Sequence, residues 1–201
     1  MGPIAPPIGA EDLDSTVAEE TAVRTITVVA ALIAAVAAGP PAHAAPAVPD
    51  VPATIAVQDG HKPYLLGHAS GVQIYTCLTL PGGYAWSPAT PRADLRDDSG
   101  VVIVRHFAGP SWQAKDGSLV RASRVDGVTV DPTAIQWLLL KAGTPTAGPD
   151  GDRLTATTYI QRINTTGGLT PPTTDCNPAS AGSTREIPYT ADYLFWKARS
   201  A

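Results

Sequence analysis

Three residues in one short stretch have side chains that could act together in chemistry. His106 lies near the end of a β-forming run, and Trp112 and Asp116 follow it after a Gly109-Pro110 turn. A histidine with a carboxylate partner can act as a general base or orient a substrate. A neighbouring indole offers a flat platform for a sugar or another ring. His106 and Asp116 are therefore the candidate catalytic residues, and Trp112 is a candidate binding residue.

The same residues also have a purely structural interpretation, which we favour. His106 can satisfy a buried backbone group, Trp112 can pack in the core, and Asp116 can make the Asp-Gly turn that hairpins need for backbone reasons. His68 and Tyr75, on either side of residues 71–74, are the other two candidate binding residues.

Other catalytic classes find little support in the sequence. His61, His68 and His106 could bind zinc or copper, but their spacing matches no short metal-ligand motif, so we expect no metal site. No serine lies in a G-x-S-x-G elbow, and no G-x-G-x-x-G follows a strand pattern. We therefore expect no cofactor.

The two cysteines are the best-defined structural signal. Cys77 ends a run, residues 71–77, in which Val72, Ile74 and Thr76 recur at the period of a β-strand. An even cysteine count in an exported chain indicates a disulfide, and two cysteines allow one intramolecular pairing. The bond between Cys77 and Cys176 would close a loop of about 100 residues and stabilise the fold by on the order of 4 kcal/mol.

The N-terminal region has the features of an export signal. Arg24 precedes the apolar run 26–38, and Ala42-His43-Ala44 follows as a small-x-small cleavage pattern. We predict a signal peptide over residues 23–44, cleaved near Ala44, and a secreted, extracellular domain. A permanent membrane anchor is the alternative, but the run is short for a span. Residues 1–22 carry five acids and no base, so they are interpreted as a wrongly assigned or disordered leader, with translation starting at Val23.

Composition limits the choice of partner. The chain has 18 acidic and 14 basic residues, of which five and one lie before Ala45, so the mature part carries 13 of each. Charge balance without a basic patch makes nucleic acid an unexpected partner. The length left after the signal fits one domain, residues 53–201, behind a proline-rich linker over residues 45–52. We expect a monomer or weak oligomer.

Short β-like runs separated by Gly, Pro, Asp and Ser fill the mature chain. Residues 131–143 fit either a helix capped by Asp131 or a strand, and we favour a strand from Ile135 after a turn. The other runs are 62–69, 72–80, 84–86, 92–96, 101–107, 111–114, 119–125, 154–164 and 189–198. The pattern predicts an all-β, single-domain β-sandwich or barrel of about nine short antiparallel strands with long Pro/Gly loops.

These segments together resemble a family of secreted bacterial and fungal proteins called domain of unknown function 3455. The resemblance is carried by the segments at residues 67–77, 106–118, 137–140, 158–168, 176 and 188–193, including Gly71-Val72-Gln73-Ile74-Tyr75-Thr76-Cys77 and Pro188-Tyr189-Thr190-Ala191-Asp192-Tyr193. The resemblance covers nearly all of the mature domain. It implies no activity, because the family has none established.

Two functional hypotheses follow. The leading one is a secreted, disulfide-stapled β domain that binds an extracellular ligand, a glycan or a small molecule, without catalysing a reaction. The alternative is a small extracellular hydrolase or lyase that uses His106 and Asp116 beside Trp112.

Overall fold

The computed structural model describes residues 45–200, so the predicted leader (1–22) and signal peptide (23–44) lie outside the described residues. Within this range the chain forms nine β-strands and three short 3-10 turns, and no α-helix. None of its helical turns is long and apolar enough to cross a membrane. The strands are β1 His61–Leu80, β2 Gly83–Trp86, β3 Thr90–Arg96, β4 Val102–Phe107, β5 Ser111–Ala114, β6 Leu119–Val128, β7 Trp137–Ala142, β8 Tyr159–Gly167 and β9 Thr184–Ala198.

The nine strands form one antiparallel sheet that closes on itself. From β3 to β9 each strand pairs with the next in sequence, and β1 pairs with β3 on one edge and β9 on the other. Eight strands therefore make a barrel, and β2 extends the end of β1 as a hairpin. This confirms the predicted all-β fold. Of the two architectures considered from the sequence, the closed ring of pairings is that of a barrel.

Strand β1 corrects one detail of the sequence interpretation. The sequence predicts two runs, 62–69 and 72–80, but they form one continuous strand of 20 residues. The glycines permit close approach instead of a turn. A Cβ added at Gly67 would lie 2.9 Å from Leu95 Cβ, and one at Gly71 would lie 2.1 Å from the Arg92 carbonyl oxygen. Nor is β9 short, since it has 15 residues.

The ambiguous segment 131–143 is a strand, as predicted, although β7 begins at Trp137 rather than Ile135. Asp131 makes the preceding turn, where its carboxylate accepts hydrogen bonds from the Thr133 backbone N–H and hydroxyl. Strand β8 begins at Tyr159, five residues later than the predicted 154–164. The reason is a turn in which the Leu154 carbonyl accepts a hydrogen bond from the Thr157 N–H and the Leu154 side chain is fully buried.

The core consists of two groups of apolar side chains. The larger fills the barrel and contains Leu95, Trp112, Leu140, Ile160 and Phe195, among others. The smaller lies where Ile55, from the segment before β1, packs with Leu139, Ile163, Leu194 and Trp196. A chain of hydrogen bonds fastens this segment: Trp196 Nε1 donates to Gln161 Oε1, and Gln161 Nε2 donates to the Ile55 carbonyl.

The predicted disulfide is present. Cys77 and Cys176 are bonded with their Cα atoms 5.3 Å apart, across a sequence separation of 99. The backbone of Cys77 also bonds to the chain just before β9, through Ser183 O and Gly182 N. The bond therefore ties the long loop between β8 and β9 to the end of β1.

The double variant Cys77→Ser/Cys176→Ser should lose about 4 kcal/mol of unfolding free energy, because the unfolded chain regains the freedom of a loop of about 100 residues. Guanidinium chloride unfolding followed by tryptophan fluorescence measures the loss. Wild-type protein with the bond reduced is the control and should match the double variant. Equal transition midpoints for the variant and the oxidised wild type would contradict the expectation.

Gly71→Ala should destabilise the barrel by at least about 2 kcal/mol, because its methyl group would collide with the backbone of β3. Gly82→Ala is the matched control, since a Cβ there meets nothing within 4 Å. Its effect should stay within about 0.5 kcal/mol. The same denaturation experiment compares the two, and equal losses would refute the close-approach explanation.

Candidate functional site

A pocket of about 410 Å³ opens at the end of the barrel that carries the β4–β5 turn. Its volume lies within the range of small-molecule sites, about 300–1,000 Å³. Every strand of the closed ring contributes to its lining, in chain order through Gln73, Thr90, His106, Trp112, Ala122, Leu138, Arg162 and Tyr193. The pocket is therefore part of the barrel interior, and it exists only because the sheet closes.

His106 and Trp112 form the centre of this lining. They are direct cross-strand partners in the β4–β5 hairpin, so both side chains point to the same face. Their rings stack with centroids 4.2 Å apart and planes 7° apart, and the Tyr193 ring lies 5.2 Å from His106. Both are almost completely buried, with exposures of 3% for His106 and 1% for Trp112. The short turn at Gly109-Pro110 thus brings together two of the three residues singled out from the sequence.

The hydrogen bonding of His106 fixes its tautomer. Nδ1 lies 2.9 Å from the Ser111 carbonyl oxygen, which can only accept, so Nδ1 carries the proton. Burial lowers the pKa of His106 to about 3; the bond to Ser111 opposes this shift and the Arg162 charge adds to it. The imidazole is therefore neutral at physiological pH. Its Nε2 holds a lone pair with no hydrogen-bond partner among residues 45–200.

Two buried donors of the pocket lining are also unpartnered. Trp112 Nε1 and Gln73 Nε2 have no hydrogen bond within the described part of the chain. Burying an unbonded polar group costs about 1–3 kcal/mol, and most such groups in native proteins find a partner. These two atoms therefore mark the pocket as a place where a partner outside residues 45–200 would be favourable.

The lining also carries two arginines and no acidic residue. Arg162 on β8 donates from Nε and Nη2 to the Gln136 carbonyl, at 3.1 and 2.9 Å. Arg124 on β6 is exposed and lies against Gly127. Neither guanidinium has an ion pair within residues 45–200. The pocket is consequently electropositive.

Asp116 lies at the other end of β5 and does not contact His106. Its carboxylate accepts hydrogen bonds from Ser118 N and Oγ and from Arg153 N. Desolvation raises the pKa of Asp116, but these hydrogen bonds outweigh it, and the net shift is downward. The Ser118 hydroxyl in turn accepts from Leu154 N. Asp116 thus fastens the β7–β8 connection at this end of the barrel, where Leu154 joins the interior core.

The other two binding candidates also lie outside the pocket lining. His68 is on the outer face of β1 and bridges Asp98 and Asp192, at 3.0 and 2.6 Å. These hydrogen bonds, first Asp98 and then Asp192, raise the pKa of His68. Tyr75 is buried and donates to the Gly168 carbonyl at 2.7 Å. No group of three or more residues suited to hold a metal ion occurs within residues 45–200.

Sequence reasoning missed Gln73, Arg124 and Arg162 as lining residues. One feature of the sequence could have identified them. In a β-strand, residues two positions apart lie on the same face, so a polar residue two positions from a buried one can face the interior. Gln73 precedes the buried Tyr75, and Arg162 follows the buried Ile160. Recognising this signal required knowing which face of each strand is the inside.

Replacing His106 should change how stability depends on pH. Unfolded histidine titrates near 6.5 and folded His106 near 3, so between these values only the unfolded chain binds the proton. The free energy of unfolding should therefore fall as pH drops from 6.5, by up to about 1.4 kcal/mol per pH unit from this group. His106→Gln should remove that slope, which denaturant titrations between about pH 7 and pH 4 would measure.

His68→Gln is the control for this experiment, because the pKa of His68 is shifted the other way. Its stabilising contribution is complete below the unfolded pKa and is lost as pH rises through the folded one. The stability difference between wild type and His68→Gln should therefore shrink with rising pH. A His106→Gln curve parallel to wild type would show that His106 is not held neutral.

Comparison with known proteins places the chain in a family. Residues 58–197 match the family described as a protein of unknown function (DUF3455), which confirms the resemblance seen in the sequence. No curated protein matches the chain, and no solved structure does. Because the match covers more than half of the chain and nearly the whole barrel, the chain belongs to the DUF3455 family of proteins of unknown function.

Proposed function

We propose that this protein is an exported, non-catalytic binding protein that holds a small molecule in the pocket of its barrel. The observation that carries the proposal is the set of buried, unpartnered polar atoms in a lining to which all eight barrel strands contribute. A few polar groups that converge in a largely apolar concavity are the usual composition of a ligand site. Both atoms have almost no accessible surface, and a ligand that reached them would supply the hydrogen bonds that they lack.

A small molecule suits the pocket better than a glycan chain. Sugars commonly bind to the open face of an aromatic ring, but Trp112 is 1% exposed and its ring is stacked on His106. A pocket of about 410 Å³ favours a compact ligand that fits inside the barrel mouth. We therefore take the small molecule as the ligand class.

Export is the second part of the proposal. It is supported by the signal-like sequence before Ala45 and by the disulfide between Cys77 and Cys176. Disulfides persist in oxidising compartments and are uncommon in the reducing cytosol. A ligand encountered outside the cytoplasm is consistent with both features.

The alternative, a hydrolase or lyase, depends on a pair formed by His106 and Asp116. That pair is not formed, since Asp116 is engaged by Ser118 and Arg153 at the other end of β5. A neutral His106 with a free lone pair at Nε2 fits the role of a hydrogen-bond acceptor for a ligand. The geometry therefore supports binding as the function.

Fragment screening by ¹H–¹⁵N NMR would test the proposal, with the Trp112 indole N–H as the reporter. Because Trp112 Nε1 is buried and unpartnered in the pocket lining, fragments that enter should shift its resonance. Trp112→Phe assigns the signal. The indole of Trp196 is the internal control, since it donates to Gln161 and lies outside the lining.

Hits that move the Trp112 signal in a saturable way and leave the Trp196 signal in place would support the binding site. A diverse library in which no member moves the Trp112 signal would overturn it. Fragments that shift only the other indoles would do the same, because they would locate binding elsewhere.

A further inference from the structure

We propose that the ligand is a small organic anion, a carboxylate carried on an apolar body. This inference rests on the proposed binding function of the same pocket and specifies the chemistry of its occupant. It is drawn from the charges of the lining, the free donors of one arginine and the apolar side chains beside them.

The charged residues of the pocket lining are all positive. Arg124 and Arg162 both line the pocket, and the lining holds no aspartate or glutamate. Elsewhere on the sheet, Arg92 pairs with Glu186 at 2.7 Å and Arg105 with Asp94 at 3.8 Å, whereas Arg96, Arg121 and Arg185 form no ion pair within residues 45–200. A partly buried guanidinium without a counter-charge is unfavourable, and an anion entering the pocket would offset that cost.

Arg162 is already held in a defined position. Its bonds from Nε and Nη2 to the Gln136 carbonyl use two of the five N–H donors of a guanidinium and leave three. Most of the conformational entropy of the Arg162 side chain is therefore lost before any ligand binds. A planar, pre-positioned guanidinium with free donors is suited to the two oxygens of a carboxylate.

The two unpartnered donors of the lining agree with this assignment. Trp112 Nε1 and Gln73 Nε2 are donors without acceptors, so oxygen atoms of the ligand are their natural partners. His106 is neutral and adds no charge of its own. Leu138, Leu140 and Ala122 supply apolar surface. An inorganic anion would use the donors but leave this surface unfilled, so an organic body fits better.

Benzoate and benzamide make a matched pair of probes, because they have the same shape and differ in charge. Benzoate should bind at least about tenfold more tightly than benzamide, since hydrogen bonds to a charged group are the stronger ones. Titration of the protein, followed through the Trp112 indole resonance, gives both affinities. Sodium sulfate is the third probe and should bind more weakly than benzoate.

Arg162→Gln should weaken benzoate binding by about tenfold or more and leave benzamide binding nearly unchanged. Arg162→Lys should recover part of the affinity, because it keeps the charge but not the paired donors. Arg121→Gln is the control, since Arg121 is another arginine of the sheet but does not line the pocket. Benzoate affinity in Arg121→Gln should equal that of the wild type.

The outcomes separate the two proposals. Benzamide binding as tightly as benzoate, or neutral fragments binding while anions do not, would overturn the anion inference and leave the binding pocket intact. Sulfate binding as tightly as benzoate would contradict the inference that the ligand has an apolar organic body. If neither charged nor neutral compounds move the Trp112 resonance, the proposed function and this inference fall together.

Discussion

The pairing of β1 with β9 is the constraint on which the whole structure depends. The two strands are bonded over residues 61–76 of β1, while the other edge of β1 holds β3 over residues 68–74. This double use of one strand turns a linear meander into a closed ring. Closure removes the exposed edges that an open sheet would present for aggregation. It also gives the sheet an inside, and the pocket is part of that inside.

The two ends of the barrel interior differ in composition. Eight strands enclose just enough space for side chains or one small ligand. Toward the β5–β6 turn the space is filled by apolar residues such as Val120 and Leu154, both fully buried. Toward the β4–β5 turn, polar side chains stand where further apolar packing could have been. The unpaired donors there cost stability, and natural proteins tolerate such costs mainly at sites that act on another molecule.

Local chemistry made part of this fold predictable from the sequence. The disulfide followed from two cysteines and a predicted export signal, and the strand at β7 followed from the turn chemistry at Asp131 and the spacing of neighbouring runs. The glycines of β1 suggested a break in the strand because glycine occurs both in turns and where two strands approach closely. Only the position of β3 shows that these glycines serve the close approach. His106 and Trp112 were recognisable by type. Gln73 and Arg162 were not, because whether a strand position faces inward depends on pairings with residues far away in sequence.

The alternative link between His106 and Asp116 is not formed, for a related reason. Ten residues separate them, which suggested proximity, but a straight strand of four residues lies between their turns. A β-strand advances about 3.3 Å per residue, so short sequence distance along β5 becomes a distance between the two ends of the barrel. Proximity in a β protein follows the register of neighbouring strands more than the spacing within one strand.

The hydrogen bonds of Asp116 bear on how a small molecule could enter the barrel. These hydrogen bonds hold the β7–β8 connection, and with it the buried Leu154, at the end of the ring away from the β4–β5 turn. In the proposed binding function, a ligand would enter and leave past the β4–β5 turn and residues 89–91. Anything that covered this opening would then slow the release of such a ligand without contacting the residues proposed to bind it.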